Sequence, residues 1–273
     1  MGKRQPDRDQ RSTVLTHPQP MSDPKRPIPN HDAGLPWVRS PQHLWLIGAA
    51  ISTVILWQLP WGHQILYPFS ILATWFHEMG HGVAAMLLGG RFETLLIHPS
   101  GSGVAQHSGQ LWLGPIGRAL VLAGGPLGAP LAGYGLLRLS QKRLPRVQLG
   151  LFLLGCALLL SVLLWVRTLF GVLAIGALGV AITLIPLYGS PWVQYFALQF
   201  LSVQACLSTF SRLDYLFTEN CTIQGVAMVS DTGQMAKQLW LPYWFWGALL
   251  AAISLYCLGS GLWRLVRSRP DGF

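Results

Sequence analysis

Residues 73–85 read Ala73-Thr74-Trp75-Phe76-His77-Glu78-Met79-Gly80-His81-Gly82-Val83-Ala84-Ala85. This stretch lies inside an apolar run, 67–88, that stops at Gly89-Gly90. The run contains the pattern HExxH. On a helix, positions i and i+4 lie about 40° apart, so both imidazoles face one side. Two neutral histidines in that arrangement can bind one Zn²⁺. Glu78, one residue along, can take the proton from a water on the ion. Isolated His and Glu inside apolar helices are costly and default to a functional reading. The competing reading is a pair of buried histidines bonded to backbone or to Glu78.

Six further apolar runs surround this one: 43–61, 115–139, 147–166, 168–188, 191–210 and 241–263. Each approaches the roughly 20 residues that a membrane helix needs. Across 273 residues, 51% are apolar and only 11% are charged, with a mean hydropathy of +0.41. A soluble domain carries about 25% charged residues. The composition therefore excludes a soluble enzyme, a coiled coil and a disordered scaffold. The expected fold is an all-α, polytopic helical bundle of six to seven apolar segments. A small β-like hairpin follows the HExxH helix, because 92–98 has a strand-like pattern and Gly101, Ser102 and Gly103 permit a turn.

The net charge of +9 is concentrated at the ends. Seven of the nineteen Lys and Arg lie in the first forty residues, and Arg264, Arg267 and Arg269 lie in the last ten. This is the pattern of membrane-flanking anchors, not of a nucleic-acid groove. The expected organisation is a basic, disordered tail at 1–42, a membrane domain at 43–263 and a basic tail at 264–273. The start is not read as a signal peptide, because no apolar stretch follows its charges quickly. Basic residues at both ends favour both termini on the cytoplasmic side, which requires an even number of crossings. Segment 115–139, with Gly124-Gly125-Pro126 near its middle, is the candidate to turn back within the membrane. The four cysteines show no CxxC spacing.

A zinc site of this type needs a third protein ligand and an open position. Beyond Glu93 only Asp214, Glu219, Asp231 and Asp271 carry a carboxylate. Asp231, in Val229-Ser230-Asp231-Thr232-Gly233, and Asp214, in Arg212-Leu213-Asp214-Tyr215, both stand beside helix ends. His98 and His107 are weaker candidates. The bland roles are a helix cap for Asp231 and a solvated pair with Arg212 for Asp214.

The run FHEMGHGVAAMLLGGRFETL, the HPSGSGV after it, LVLAGGPLGAPLAGY and SDTGQMAKQLWLPYWFW together resemble the site-2 protease family of intramembrane zinc metalloproteases. The similarity is greatest to the short bacterial and cyanobacterial branch without a PDZ domain. The resemblance implies hydrolysis of peptide bonds in membrane-spanning protein substrates, within a lipid bilayer of bacterial plasma-membrane or thylakoid type. It implies His77 and His81 as metal ligands and Glu78 as base, and it maps the acidic ligand best onto Asp231. Better-studied members carry an LDG motif that this chain lacks. Its nearest string is Leu213-Asp214-Tyr215, which keeps Asp214 as a rival. A non-proteolytic membrane protein retaining the metal site and a metal transporter are the alternative functions. Transport wants several weak sites along a path, whereas acid and imidazole here concentrate in one motif.

Overall fold

In a computed structural model, residues 1–2, 42–223 and 225–267 are described. Every secondary-structure element lies in the unit Pro36–Gly272. The two expected tails fall largely on residues 3–41 and 268–273, outside the described residues.

All seven apolar runs form helices. Helix α1 spans Gln42–Trp57 and α2 spans Gly62–Leu87. Strands β1 (Arg91–Ile97) and β2 (Gly103–Ser108) follow, then α3 (Pro115–Ser140). Next come α4 (Leu144–Leu164), α5 (Leu169–Tyr188) and α6 (Pro191–Leu207). After a 3-10 turn at Phe210–Arg212, the chain makes the one-turn helix α7 (Leu213–Leu216) and strands β3 (Asn220–Ile223) and β4 (Val226–Val229). Helices α8 (Asp231–Leu239) and α9 (Tyr243–Arg267) complete it. The starts follow local chemistry. Thr168 and Ser190 accept from Gly171 N–H and Val193 N–H at the heads of α5 and α6, and Pro191 takes the first helical turn of α6, where a missing N–H costs nothing.

Among the described residues, four helices are long and apolar enough to cross a membrane: Pro115–Ser140, Leu144–Leu164, Leu169–Tyr188 and Tyr243–Leu265. This is fewer than the six to seven segments expected. Helices α1 and α6 are short, at 16 and 17 residues, and α6 is interrupted by the buried Gln194, Gln199 and Gln204. Helix α2 has the length, but its polar motif dilutes its apolarity. The expected reversal of segment 115–139 does not occur. Helix α3 runs unbroken through Pro126 and Pro130, at the cost of two intrahelical hydrogen bonds.

Glycines bring α3 against α2. A Cβ on Gly124 would stand 2.7 Å from the carbonyl oxygen of Gly80 and 2.8 Å from Ala84 Cβ. A Cβ on Gly80 or Gly128 would collide with the carbonyls of Gly124 or Phe76. Small residues permit this backbone approach in membrane helices. The main core joins Ile71, Leu72 and Trp75 of α2 to Leu151 and Leu158 of α4, Ile175 of α5 and Leu198 of α6. The outer faces of α4 and α5 expose Leu153, Leu160, Leu163, Leu173 and Leu187, as a lipid-facing surface does.

The hairpin expected after α2 is present. Strands β1 and β2 are antiparallel, with Leu95 opposite Ala105 and Ile97 opposite Gly103. Leu95 and Ile97 are fully buried under the core. The far edge of β1 is also used: Leu95 N–H donates to Trp165 O (2.8 Å), and Arg167 N–H donates to Leu95 O (3.1 Å). A second hairpin, β3–β4, pairs antiparallel, and Gly225 just before β4 has φ +79°, a backbone conformation that favours glycine.

Candidate metal centre

Helix α2 presents Thr74, His77, Glu78 and His81 along one side, as their spacing dictates. His81 Nδ1 lies 2.8 Å from Val121 O. A carbonyl can only accept, so Nδ1 carries a proton, and in the neutral ring Nε2 keeps its lone pair. That Nε2 is 3.2 Å from His77 Nε2.

The third partner comes from far along the chain. Asp231 opens α8 behind Ser230, whose side chain accepts from Gly233 N–H (3.1 Å) and whose backbone N–H donates to Glu219 O (2.9 Å). A carboxylate in a first helical turn also suits the helix dipole. Asp231 Oδ2 stands 3.2 Å from His77 Nε2 and 3.5 Å from His81 Nε2. It is buried and makes no hydrogen bond among the described residues. Native structures rarely leave such an oxygen without a partner, and an ion is one of the usual reasons.

His77, His81 and Asp231 form the one group among the described residues that can hold a metal ion. The donor atoms make a triangle with sides of 3.2, 3.2 and 3.5 Å. A tetrahedral zinc ion with bonds of about 2.0–2.1 Å separates its ligands by about 3.3–3.4 Å. The donor set, two imidazoles and a carboxylate, and the triangle both fit zinc. The space beside them is made by Gly125 of α3. A Cβ there would stand 2.8 Å from His81 Cδ2 and closer still to Nε2.

A cavity of about 190 Å³ adjoins the triangle, lined among others by Thr74, His77, Glu78, Arg212, Tyr215 and Cys221. At roughly 30 Å³ per molecule it has room for several waters. Glu78 is buried, and β2 passes over it at Gly103. A Cβ at Gly103 would meet Glu78 Cγ and Thr74 Cγ2, both at 2.7 Å. Arg212 ties this wall together: its Nη2 donates to Thr74 Oγ1 (3.0 Å) and Gly101 O (3.1 Å), while Thr74 Oγ1 donates to Gly101 O (2.6 Å). Burial, then the Asp231 charge, pushes the Tyr215 phenol well above its ordinary range. Burial, then the Asp231 charge, raises the Cys221 thiol.

The rival ligands are elsewhere. Asp214 is exposed on α7, His98 follows β1 with its N–H donating to Ser102 O, and His107 is exposed on β2. Sequence reasoning missed Tyr215 and Thr74 and took Arg212 only as a solvated partner of Asp214, an ion pair not present among the described residues. The available signals were the Arg212-Leu213-Asp214-Tyr215 string and the one-turn spacing of Thr74 from Glu78.

No curated protein and no solved structure matches the chain. A family profile does match, over residues 46–261, and its description is Peptidase M50B-like. The match takes in the HExxH helix, both hairpins and Asp231, and it covers well over half of the 273 residues. With four apolar helices of membrane length and this family match, the chain is an integral membrane protein that belongs to the Peptidase M50B-like family, the site-2 proteases.

Proposed function

We propose that the chain is a membrane-embedded zinc endopeptidase that hydrolyses peptide bonds of membrane-spanning proteins. His77, His81 and Asp231 hold the ion, and Glu78 is the general base. The observation that carries this reading is the convergence of three potential metal-ligating atoms and a buried glutamate beside a cavity with room for several waters. A bound zinc ion supplies Lewis acidity: it polarises a carbonyl and brings the pKa of a water towards about 7.

The chain's own residues do the rest. Val121 O fixes the His81 tautomer, an orienting role that commonly tunes metal ligands. Glu78 accepts a proton from the attacking water and delivers it to the leaving amine. Gly80, Gly124 and Gly125 keep side chains out of the space between α2 and α3.

A substrate helix must unwind first, because it hides its carbonyls in its own hydrogen bonds. Strand β2 offers the unwound segment a place. Leu95 directs its N–H and C=O to the 165–167 link, so Leu95 and Ala105 are a non-hydrogen-bonded pair. Ala105 N–H and C=O therefore point away from β1, towards an edge with no strand on it among the described residues. A substrate strand added there is β-augmentation.

The deciding experiment uses the purified chain in detergent micelles, with zinc content measured beside cleavage of a set of fluorescently labelled single-span transmembrane peptides. Glu78→Gln should keep one zinc per chain and lose cleavage. Zinc binding without cleavage in the unaltered chain would instead support a non-proteolytic metal protein.

A further inference from the structure

We infer that Tyr215, with Arg212 beside it, donates a hydrogen bond to the carbonyl oxygen of the scissile peptide as that oxygen gains negative charge. The inference rests on the endopeptidase reading and extends it with donors that the HExxH motif does not contain.

Arg212 and Tyr215 are three residues apart, where the 3-10 turn at Phe210–Arg212 passes into α7. Both line the cavity that holds His77 and Glu78. The Tyr215 ring meets His77 edge-on, with centroids 6.1 Å apart. Its hydroxyl accepts from Asp231 N–H at 3.4 Å. One lone pair of the phenol is thus engaged, and among the described residues no acceptor takes its proton. A hydroxyl that accepts a hydrogen bond becomes a better donor, because linked bonds polarise one another.

Arg212 has a matching surplus. Only Nη2 is used, on a threonine hydroxyl and a backbone carbonyl. The N–H groups on Nε and Nη1 have no acceptor, and no carboxylate lies within 4.0 Å, among the described residues. A guanidinium carries five donors and one full charge. In a cavity wall its uncommitted donors suit an anion that exists only during reaction, because ground-state peptide carries no charge to meet them.

The step balances without a new reactant. Water oxygen adds to the carbonyl carbon, and the C=O electron pair moves onto oxygen, where Tyr215 and Arg212 donate to it. Glu78 takes the water proton and gives it to nitrogen as the C–N bond breaks and the carbonyl re-forms. Tyr215 keeps its proton throughout. The simpler role for Tyr215 is to cap Asp231 at the head of α8. The two roles separate experimentally, because a cap acts on the resting protein and an oxyanion donor acts on the transition state.

The test compares the zinc-loaded full chain with its Tyr215→Phe, Arg212→Gln and Glu78→Gln variants in detergent micelles. Zinc content, kcat and KM on labelled single-span transmembrane peptides, and calorimetric affinity for a peptide phosphinate (a tetrahedral anion) are measured. Tyr215→Phe should keep its zinc and its KM, lose about 100-fold in kcat, and bind the phosphinate about 100-fold more weakly. Arg212→Gln should fall in the same direction, and it decides the matter if Tyr215→Phe does not fold. Unchanged kcat and phosphinate affinity in the folded variants overturn the inference, as does a kcat loss that only follows zinc loss. If Glu78→Gln is dead while Tyr215→Phe is as fast as the unaltered chain, the endopeptidase reading survives and the inference alone fails. An unaltered chain that cleaves nothing overturns both.

Discussion

Replacing Gly125 by alanine tests the metal centre without touching any residue assigned to it. The added Cβ would stand 2.8 Å from His81 Cδ2, and nearer still to Nε2 and Cε1. Van der Waals contact needs about 3.5 Å, so the imidazole must retreat by at least ~0.7 Å. That is about a third of a zinc–nitrogen bond of ~2.0–2.1 Å. Retreat also pulls on the Val121 O bond that holds the ring. Removing an outer partner of a ligand already costs about 10–100-fold in affinity. Displacing the ligand atom should cost at least ~100-fold, together with about 1–3 kcal/mol of stability from overpacking. Alanine before Pro126 adds no special strain, because Ala129 already precedes Pro130 in the same helix. Gly135→Ala is the control: it lies on α3 with nothing within 4 Å of its Cβ, and it should leave zinc binding alone. Competition titration against a zinc chelator, beside thermal unfolding, reads both effects. If Gly125→Ala binds zinc as tightly as the unaltered chain, His81 Nε2 is not a ligand in this protein, and the three-atom centre fails with it.

Asp231→Asn should lose stoichiometric zinc while Asp214→Asn retains it, as read by metal analysis of the purified chains; the opposite result would make the LDY string the ligand. Ala105→Pro removes an N–H that points away from β1, so it should spare the hairpin and zinc content yet reduce cleavage at least tenfold, mainly through KM. Cleavage equal to that of the unaltered chain would show that substrate does not add to β2.

The convergence of His77 and His81 was legible because i, i+4 spacing on a helix is fixed by local geometry, and no tertiary information is needed to bring two imidazoles to one side. Asp231 was within reach of the sequence for a different reason. Carboxylates are so few after Glu93 that elimination left two serious candidates. Choosing between them needed the fold, since both stand at helix ends and only packing brings one to α2. The continuity of α3 was misjudged. Gly124-Gly125-Pro126 reads as a break, yet the segment is one continuous helix and the glycines serve the crossing with α2. The β3–β4 hairpin was missed because β4 exposes Val226, Ala227 and Met228 alike, so no in-out alternation marks it. Arg212 and Tyr215 gain meaning only when α7 lies against the cavity, and no spacing rule on a four-residue helix announces that.

The link at residues 165–167 carried no signal in the sequence beyond a basic break between two apolar runs, yet it decides which strand edge is left open. By taking the outer groups of Leu95 it makes β1 a central strand at that point. The antiparallel register then turns the backbone groups of Ala105 outward, and those of Gly103, two residues earlier, face the same way. Gly103 is also where β2 crosses Glu78, with no room for a side chain between them. A peptide added along this edge therefore runs extended, with its carbonyls exposed, past the residue that would take the proton. An α-helical segment meets neither condition, since its carbonyls are bonded internally and it has no edge to pair. The two constraints come from separate parts of the chain, the α4–α5 link and the α2–β2 contact, and both require the same unwound substrate. A substrate cleaved at equal rate with its helix stapled across the scissile bond would contradict both at once.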